Sequence, residues 1–272
     1  MKVAIQGIKG SFHDWAAEKY FGRSHGIVAC RYFSEIPEKL TSGEADKGVM
    51  AIENSLAGSI LPNYILIDEN GLVITGEIYI PVSHSLMALP GTTLDSLQEV
   101  WSHSMALLQC RGFFRKYPAL RRVEYEDTAE AAKDISLLKK QKAAAIAPAI
   151  AADLYGLEIL SSDIQDHPTN TTRFVVVEPV KDISFEGNNK ISMKVVLPHR
   201  KGSLFAFLSF LQDYDLNMTK IQSVPLGDRP WEYAFFIDAL YEDASVMPDI
   251  WNKITGRYPE SRLLGAYQNG II

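Results

Sequence analysis

The chain has 272 residues, 47% of them hydrophobic and 22% charged, enough for two or three ordinary domains with sizeable cores. Its formal net charge of −6 argues against a nucleic-acid partner, which would favour a basic patch. No run approaches about 20 continuous apolar residues, so no membrane span is expected.

Met1-Lys2-Val3-Ala4-Ile5 runs straight into a strand without a signal-peptide pattern, which points to a cytoplasmic protein. Lys2–Gln6 is that strand. Gly10 and Ser11 open a helix to about Phe21, with Trp15, Ala16, Tyr20 and Phe21 along one stripe. Ile27–Phe33 reads as a second strand, Ile36–Ser42 as a short helix, and Gly48–Ile52 as a third strand ending in Glu53-Asn54-Ser55. Leu72–Ile80 and Ser85–Leu89 read as longer strands. Val100–Ser102 ends a strand and Ser104–Lys116 follows as one helix. Asp127 caps a helix to about Lys140. Ala143–Ile146 is a strand, and Pro148 stands where a first helical turn tolerates proline. The triple valine of residues 170–177 closes the set as a buried strand. Such alternation implies a parallel-rich α/β sheet with helices on its faces.

Lys181–Asn189 is polar and contains Gly187-Asn188-Asn189, so it reads as a linker. A smaller unit follows. Lys190–Leu197 is a strand, and Gly202–Tyr214 a helix with Leu204, Leu208 and Leu211 on one face. Leu216–Val224 and Glu232–Leu240 are strands, Val246–Thr255 a helix and Arg262–Tyr267 a final strand. The order βαββαβ is that of a ferredoxin-like fold. Cys30 and Cys110 make no CxxC spacing, so neither a metal site nor a disulfide framework is expected, and each reads as a small buried hydrophobe.

Four polar clusters stand at strand ends. Asn170-Thr171-Thr172-Arg173 puts an amide, hydroxyls and a guanidinium at the mouth of the valine strand. Unpaired burial of such groups costs roughly 1–3 kcal/mol each. Either a small anionic ligand answers them, or the arginine snorkels to water. Gly7-Ile8-Lys9-Gly10-Ser11-Phe12 is a glycine-rich turn into a helix, with free backbone N–H groups but no GK[ST] ending. A plain N-cap by Ser11 is its other reading. Glu53-Asn54-Ser55, followed by Gly58-Ser59, hangs off a buried strand where open α/β sheets place ligands. Ser102-His103-Ser104 sets polar groups at a helix N-terminus, suited to a carboxylate or to capping.

Together the clusters resemble the prephenate dehydratase family. The family's Gly-x-x-Gly-(Thr/Ser)-(Phe/Tyr) is matched by Gly7 to Phe12, and its Ala-Ala by Ala16-Ala17. Ile52 to Ser59 matches Ile-Glu-Asn-Ser-x-x-Gly-Ser. Ser102-His103 with Gln109-Cys110, Asp127-Thr128-Ala129 and Thr172-Arg173-Phe174 complete the register. Ile8-Lys9 departs from the family, which often has Pro after the first Gly. The second unit resembles an ACT regulatory domain through Gly202-Ser203-Leu204 and Asn217-Met218-Thr219-Lys220-Ile221. Gln222-Ser223-Val224-Pro225 stands where that family has Glu-Ser-Arg-Pro, so both charged positions are lost.

The resemblance implies conversion of prephenate to phenylpyruvate with loss of carbon dioxide and water, a carbon–oxygen lyase reaction that needs no cofactor. It implies a catalytic domain over residues 1–180 with two lobes like a periplasmic binding protein. Lobe one is 1–76 plus 173–178 and lobe two is 79–160, with hinges near Gly76–Pro81 and Gln165–Thr169. The regulatory domain is 189–272. Thr172 is expected to donate to the leaving hydroxyl and Arg173 to grip a carboxylate with its fork. Glu53 and His103 are proton sources or orienting partners, and Asn54, Ser55, Ser11, Ser102, Thr171 and Phe174 are further substrate contacts. Phenylalanine is the expected effector, held by Gly202, Ser203, Leu204, Asn217 and Met218 at a pairing of regulatory domains in a homodimer or homotetramer. Arogenate dehydratase and a non-catalytic carboxylate sensor are the alternatives.

Overall fold

The computed structural model describes residues 1–179, 182–227 and 229–270; Lys181, at the start of the expected linker, lies outside them. The chain divides into two compact units, Met1–Gly58 with Tyr79–Phe174, and Ser59–Ile78 with Val175–Ile272.

The elements run Lys2–Gln6 (β1), Phe12–Phe21 (α1), Gly26–Cys30 (β2), Glu35–Thr41 (α2), Lys47–Asn54 (β3), Gly58–Ser59 (β4), Leu61–Glu69 (α3), Leu72–Pro81 (β5) and Ser85–Ala88 (β6). Then come Glu99–His103 (β7), Ser104–Gln109 (α4), Arg111–Lys116 (α5), Arg121–Tyr125 (β8), Thr128–Leu137 (α6), Ala143–Ala147 (β9), Ile150–Tyr155 (α7), Glu158–Ser161 (β10) and Thr171–Pro179 (β11). The remainder is Lys190–Val196 (β12), Ser203–Asp213 (α8), Asn217–Leu226 (β13), Arg229–Leu240 (β14), Met247–Arg257 (α9) and Arg262–Tyr267 (β15).

Two sheets carry the first part of the chain, in orders β2-β1-β3-β11-β5 and β10-β6-β9-β7-β8. Strand β1 pairs parallel with β2 and β3, and β7 pairs parallel with β8 and β9. Val3, Ala4 and Ile5 are all fully buried, as in a central strand covered on both faces. The second sheet is mixed rather than parallel-rich, because β6 runs antiparallel to both β9 and β10.

The second unit contains β12 to β15 with α8 and α9, in the antiparallel order β13-β14-β12-β15. This is the ferredoxin-like βαββαβ arrangement. One sheet face supplies Ile191, Met193 and Val195 to a core closed by Phe207 and Leu211 of α8 and Ile250 and Ile254 of α9. The alternate residues Lys190, Ser192 and Lys194 point the other way. There the 59–78 segment covers the sheet. Lys194 Nζ reaches Asp68 Oδ2 at 2.6 Å, and Tyr64 packs 5.3 Å from the Phe236 ring. A Cβ on Gly265 would stand 2.1 Å from the carbonyl oxygen of Ile74, so only glycine permits this approach.

Several boundaries differ from the sequence-based expectation. The single helix expected over Ser104–Lys116 is two, broken at Cys110, whose backbone sits at φ −115°, ψ 33°. Helix α3 and strands β8 and β10 were not expected. Pro62 occupies the first turn of α3, where it is tolerated.

Candidate active site

The end of β3 meets the beginning of β11 inside the first unit. Ser55 N–H donates to the Thr171 carbonyl at 2.8 Å, and Thr171 N–H donates to Ser55 Oγ at 3.0 Å. This two-way clasp gives Ser55 and Thr171 a structural task, holding the two ends in register. Asn54 spends its Oδ1 on the N–H groups of Leu56 and Ala57, both at 3.0 Å, which folds the chain back on itself after β3. Its Nδ2 then donates to Thr172 Oγ1 at 2.9 Å and Asn170 Oδ1 at 2.7 Å. Thr172 therefore accepts from Asn54, and its own hydroxyl hydrogen is left to point elsewhere. Thr172 is half-buried.

Arg173 takes a different partner from its neighbour, as alternation along a strand requires. Its Nη1 lies 3.5 Å from Glu53 Oε2, with the arginine side chain 3% exposed and the glutamate 36%. The guanidinium expected to grip a carboxylate thus has Glu53 as a neighbour within the chain. Of the two, Glu53 is the more accessible to solvent.

His103 ends β7 and caps α4. Its Nδ1 accepts from Met105 N–H at 3.3 Å, which leaves the hydrogen on Nε2. Burial holds its pKa below the ordinary histidine value, while Glu124 opposes that shift. A neutral imidazole with an Nε2–H is therefore a donor rather than an acid of high charge. Ser102 is fully buried and gives its hydroxyl hydrogen to the Ile146 carbonyl at 2.6 Å. Phe174 is 1% exposed and packs edge-on to His13 at 5.0 Å. Both were expected to touch substrate; both instead complete the interior. Ser11 is buried and caps α1 by accepting from Asp14 N–H at 3.3 Å, the plainer of its two roles. Asp127 caps α6 through Ala129 and Glu130 N–H at 2.8 and 3.1 Å, and burial raises its pKa to about 6.

In the second unit, Gly202 precedes α8 in the left-handed region at φ +84°, where a side chain would be strained. Ser203 and Leu204 line a 150 Å³ cavity, whereas Asn217 and Met218 line a separate one of 390 Å³. Gly202 and Ser203 line a third cavity of 300 Å³, so the five expected effector residues are spread over three cavities of one chain.

A pair of α/β sheets with polar side chains gathered at strand ends, followed by a ferredoxin-like unit, is the frame of a small-molecule site with an appended domain. The chain belongs to the prephenate dehydratase family, whose model matches residues 3–182. An arogenate dehydratase/prephenate dehydratase from Arabidopsis thaliana is 34% identical, over 98% of this chain and 72% of that protein. A prephenate dehydratase from Arthrobacter aurescens in complex with L-phenylalanine has a TM-score of 0.85 at 28% identity, covering 99% of this chain and 90% of that one. A quorum-quenching acylase, GqqA, has a TM-score of 0.88 at 28% identity, covering 98% of each chain. The chain spans from 60% to 75% of the length of the curated relatives it matches.

Proposed function

We propose that this chain is a carbon–oxygen lyase that converts prephenate to phenylpyruvate. The reaction breaks the bond from ring to carboxylate, whose electron pair enters the ring, and breaks the ring C–O bond, whose hydroxyl leaves with a proton as water. Aromatisation drives it, and no cofactor takes part. The observation that carries the reading is the 2.9 Å bond from Asn54 Nδ2 to Thr172 Oγ1. Because Oγ1 accepts there, the hydroxyl hydrogen of Thr172 is free to donate, and we assign it to the departing hydroxyl. Glu53, anchored by Arg173, and the Nε2–H of His103 are the groups we assign to proton handling and orientation.

The domain reading is residues 1–180 as the catalytic domain and 189–272 as an ACT regulatory domain. Phenylalanine is the effector, the chains pair as a homodimer or homotetramer, and the protein is cytoplasmic. Among the described residues, no helix is long and apolar enough to cross a membrane. Pairing of two regulatory units is what would bring Gly202, Ser203 and Leu204 of one copy to Asn217 and Met218 of another.

Purified protein mixed with prephenate should produce phenylpyruvate, read by absorbance, well above the spontaneous rate. A rate equal to spontaneous decay overturns the reading. Calorimetry with phenylalanine should give binding heat and a change in activity; silence in both removes the effector. Arogenate is the second substrate to assay, because the Arabidopsis relative carries both names. The ratio of kcat/KM on the two compounds decides between them.

A further inference from the structure

The polarity of the hydrogen-bond chain at the β3–β11 junction is fixed from the backbone. Asn54 Oδ1 accepts from two main-chain N–H groups, Leu56 and Ala57, at 3.0 Å each. Main-chain N–H groups cannot reverse roles, so Oδ1 and Nδ2 of Asn54 are assigned without ambiguity. Nδ2 in turn donates to Asn170 Oδ1 at 2.7 Å. Flipping the Asn170 amide would set two NH2 groups against each other, so its orientation is fixed as well. The Asn170 backbone is held by its carbonyl accepting from Val82 N–H at 2.8 Å and its N–H donating to His167 O at 3.2 Å.

What remains is Asn170 Nδ2. The residue is 1% exposed, and this nitrogen is buried with no hydrogen-bond partner among the described residues. A buried donor left unpaired is costly, and native proteins seldom tolerate one without a ligand or ordered water to answer it. Two donors therefore issue from one amide chain, the Thr172 hydroxyl and the Asn170 NH2. Both belong to groups that accept from the same nitrogen, Asn54 Nδ2.

We propose that Asn170 is a substrate-binding residue whose Nδ2 donates to the side-chain carboxylate that the substrate keeps in the product, beside the Thr172 hydroxyl. The identity of that substrate rests on the dehydratase reading above. A fixed neutral donor suits a dianionic substrate in a chain of net charge −6, because attraction has to be local. Arg173, the neighbouring cation, lies 3.5 Å from the Glu53 carboxylate, so part of its charge is offset within the chain.

Asn170→Asp keeps the shape and the oxygen that accepts from Asn54, and exchanges the donor for a charged acceptor. It should raise KM for prephenate about 10–100-fold and weaken calorimetric binding of phenylpyruvate by a similar factor, with kcat changed less. Asn170→Ala should move both in the same direction by a smaller factor. A purely structural residue, or one that serves a buried water, would leave KM and phenylpyruvate affinity of the folded variants unchanged, and that result overturns the proposal. If neither variant folds, the wild-type protein still decides. The side-chain amide NMR signal of Asn170 should shift on titration with phenylpyruvate, and a stationary signal under saturation is the overturning result. Wild-type protein inert toward prephenate would instead sink the dehydratase reading itself.

Discussion

The Lys190 ammonium lies 2.9 and 3.0 Å from the two carboxylate oxygens of Glu77, with side chains 1% and 0% exposed, although 113 residues separate them. Glu77 also accepts from Gly270 N–H at 2.9 Å. The pair explains why 59–78, which interrupts the first unit in sequence, belongs physically to the second. A buried ion pair survives on geometry and further hydrogen bonds, and losing one partner strands the other charge. Lys190→Met or Glu77→Leu alone should cost about 3–5 kcal/mol, and the double substitution should recover most of the loss. Urea unfolding of the three variants checks this. Additive losses would mean that the two side chains do not stabilise each other.

Thr172 carries the chemistry proposed for the site, so its variants should separate turnover from affinity. Thr172→Ala should lower kcat by about 10²–10³ with little change in KM, because one donor aimed at a transition-state oxygen is removed. Thr172→Ser keeps the hydroxyl and should stay within about tenfold of the wild type. Steady-state kinetics on prephenate reads both. Near-wild-type kcat in the alanine variant removes Thr172 from the chemical step.

Arg173 has a partner within the chain besides the carboxylate it is expected to grip. Its 3.5 Å contact with Glu53 means that Arg173→Lys disturbs a partner inside the protein before it disturbs a ligand. Because Glu53 is 36% exposed, solvent screens the pair, and the stability loss should be near 1 kcal/mol rather than that of a sealed pair. Activity should fall through Glu53. Glu53→Gln in the wild-type background should therefore reproduce much of the kinetic defect while leaving thermal stability nearly intact. Defects of unrelated size in the two variants would uncouple them.

The reach of the sequence followed the range of the forces involved. Caps act over three residues, so Ser11 and Asp127 were legible as helix starts, and both cap as expected. The βαββαβ order was legible because each strand and helix there has one apolar face. Helix α3 was not legible: its apolar residues, Leu61, Tyr64, Ile65, Leu66 and Ile67, surround the axis and leave no stripe. Strand β8 carries Arg121, Arg122 and Glu124, the charges that protect an edge and hide it from a hydrophobic pattern. At the site, Thr172 and Asn54 could be named from motifs. Their bond spans 118 residues, and no local signal encodes it. A similar distance in sequence concealed the pairing of Arg173 with Glu53 and the orphaned nitrogen of Asn170.

Asp127 offers a test by pH. Burial raises its pKa from 3.8 to about 6 against the pull of backbone N–H groups at the start of α6. The folded state therefore binds this proton more tightly than the unfolded chain. Between pH 3.8 and about 6 the native form holds more protons, so stability falls as pH rises through that window and stays low above it. Asp127→Asn removes the charge and keeps an oxygen able to cap Ala129 and Glu130, since Asn and Asp cap about equally well. The variant should gain about 1–3 kcal/mol at pH 7–8. The gain should shrink as pH falls through 6 and vanish near pH 4. Denaturant titrations at a series of pH values give the curve directly. A gain that is independent of pH would place its origin in packing, and no gain at pH 8 would mean that the folded protein stabilises the Asp127 carboxylate more than its burial allows.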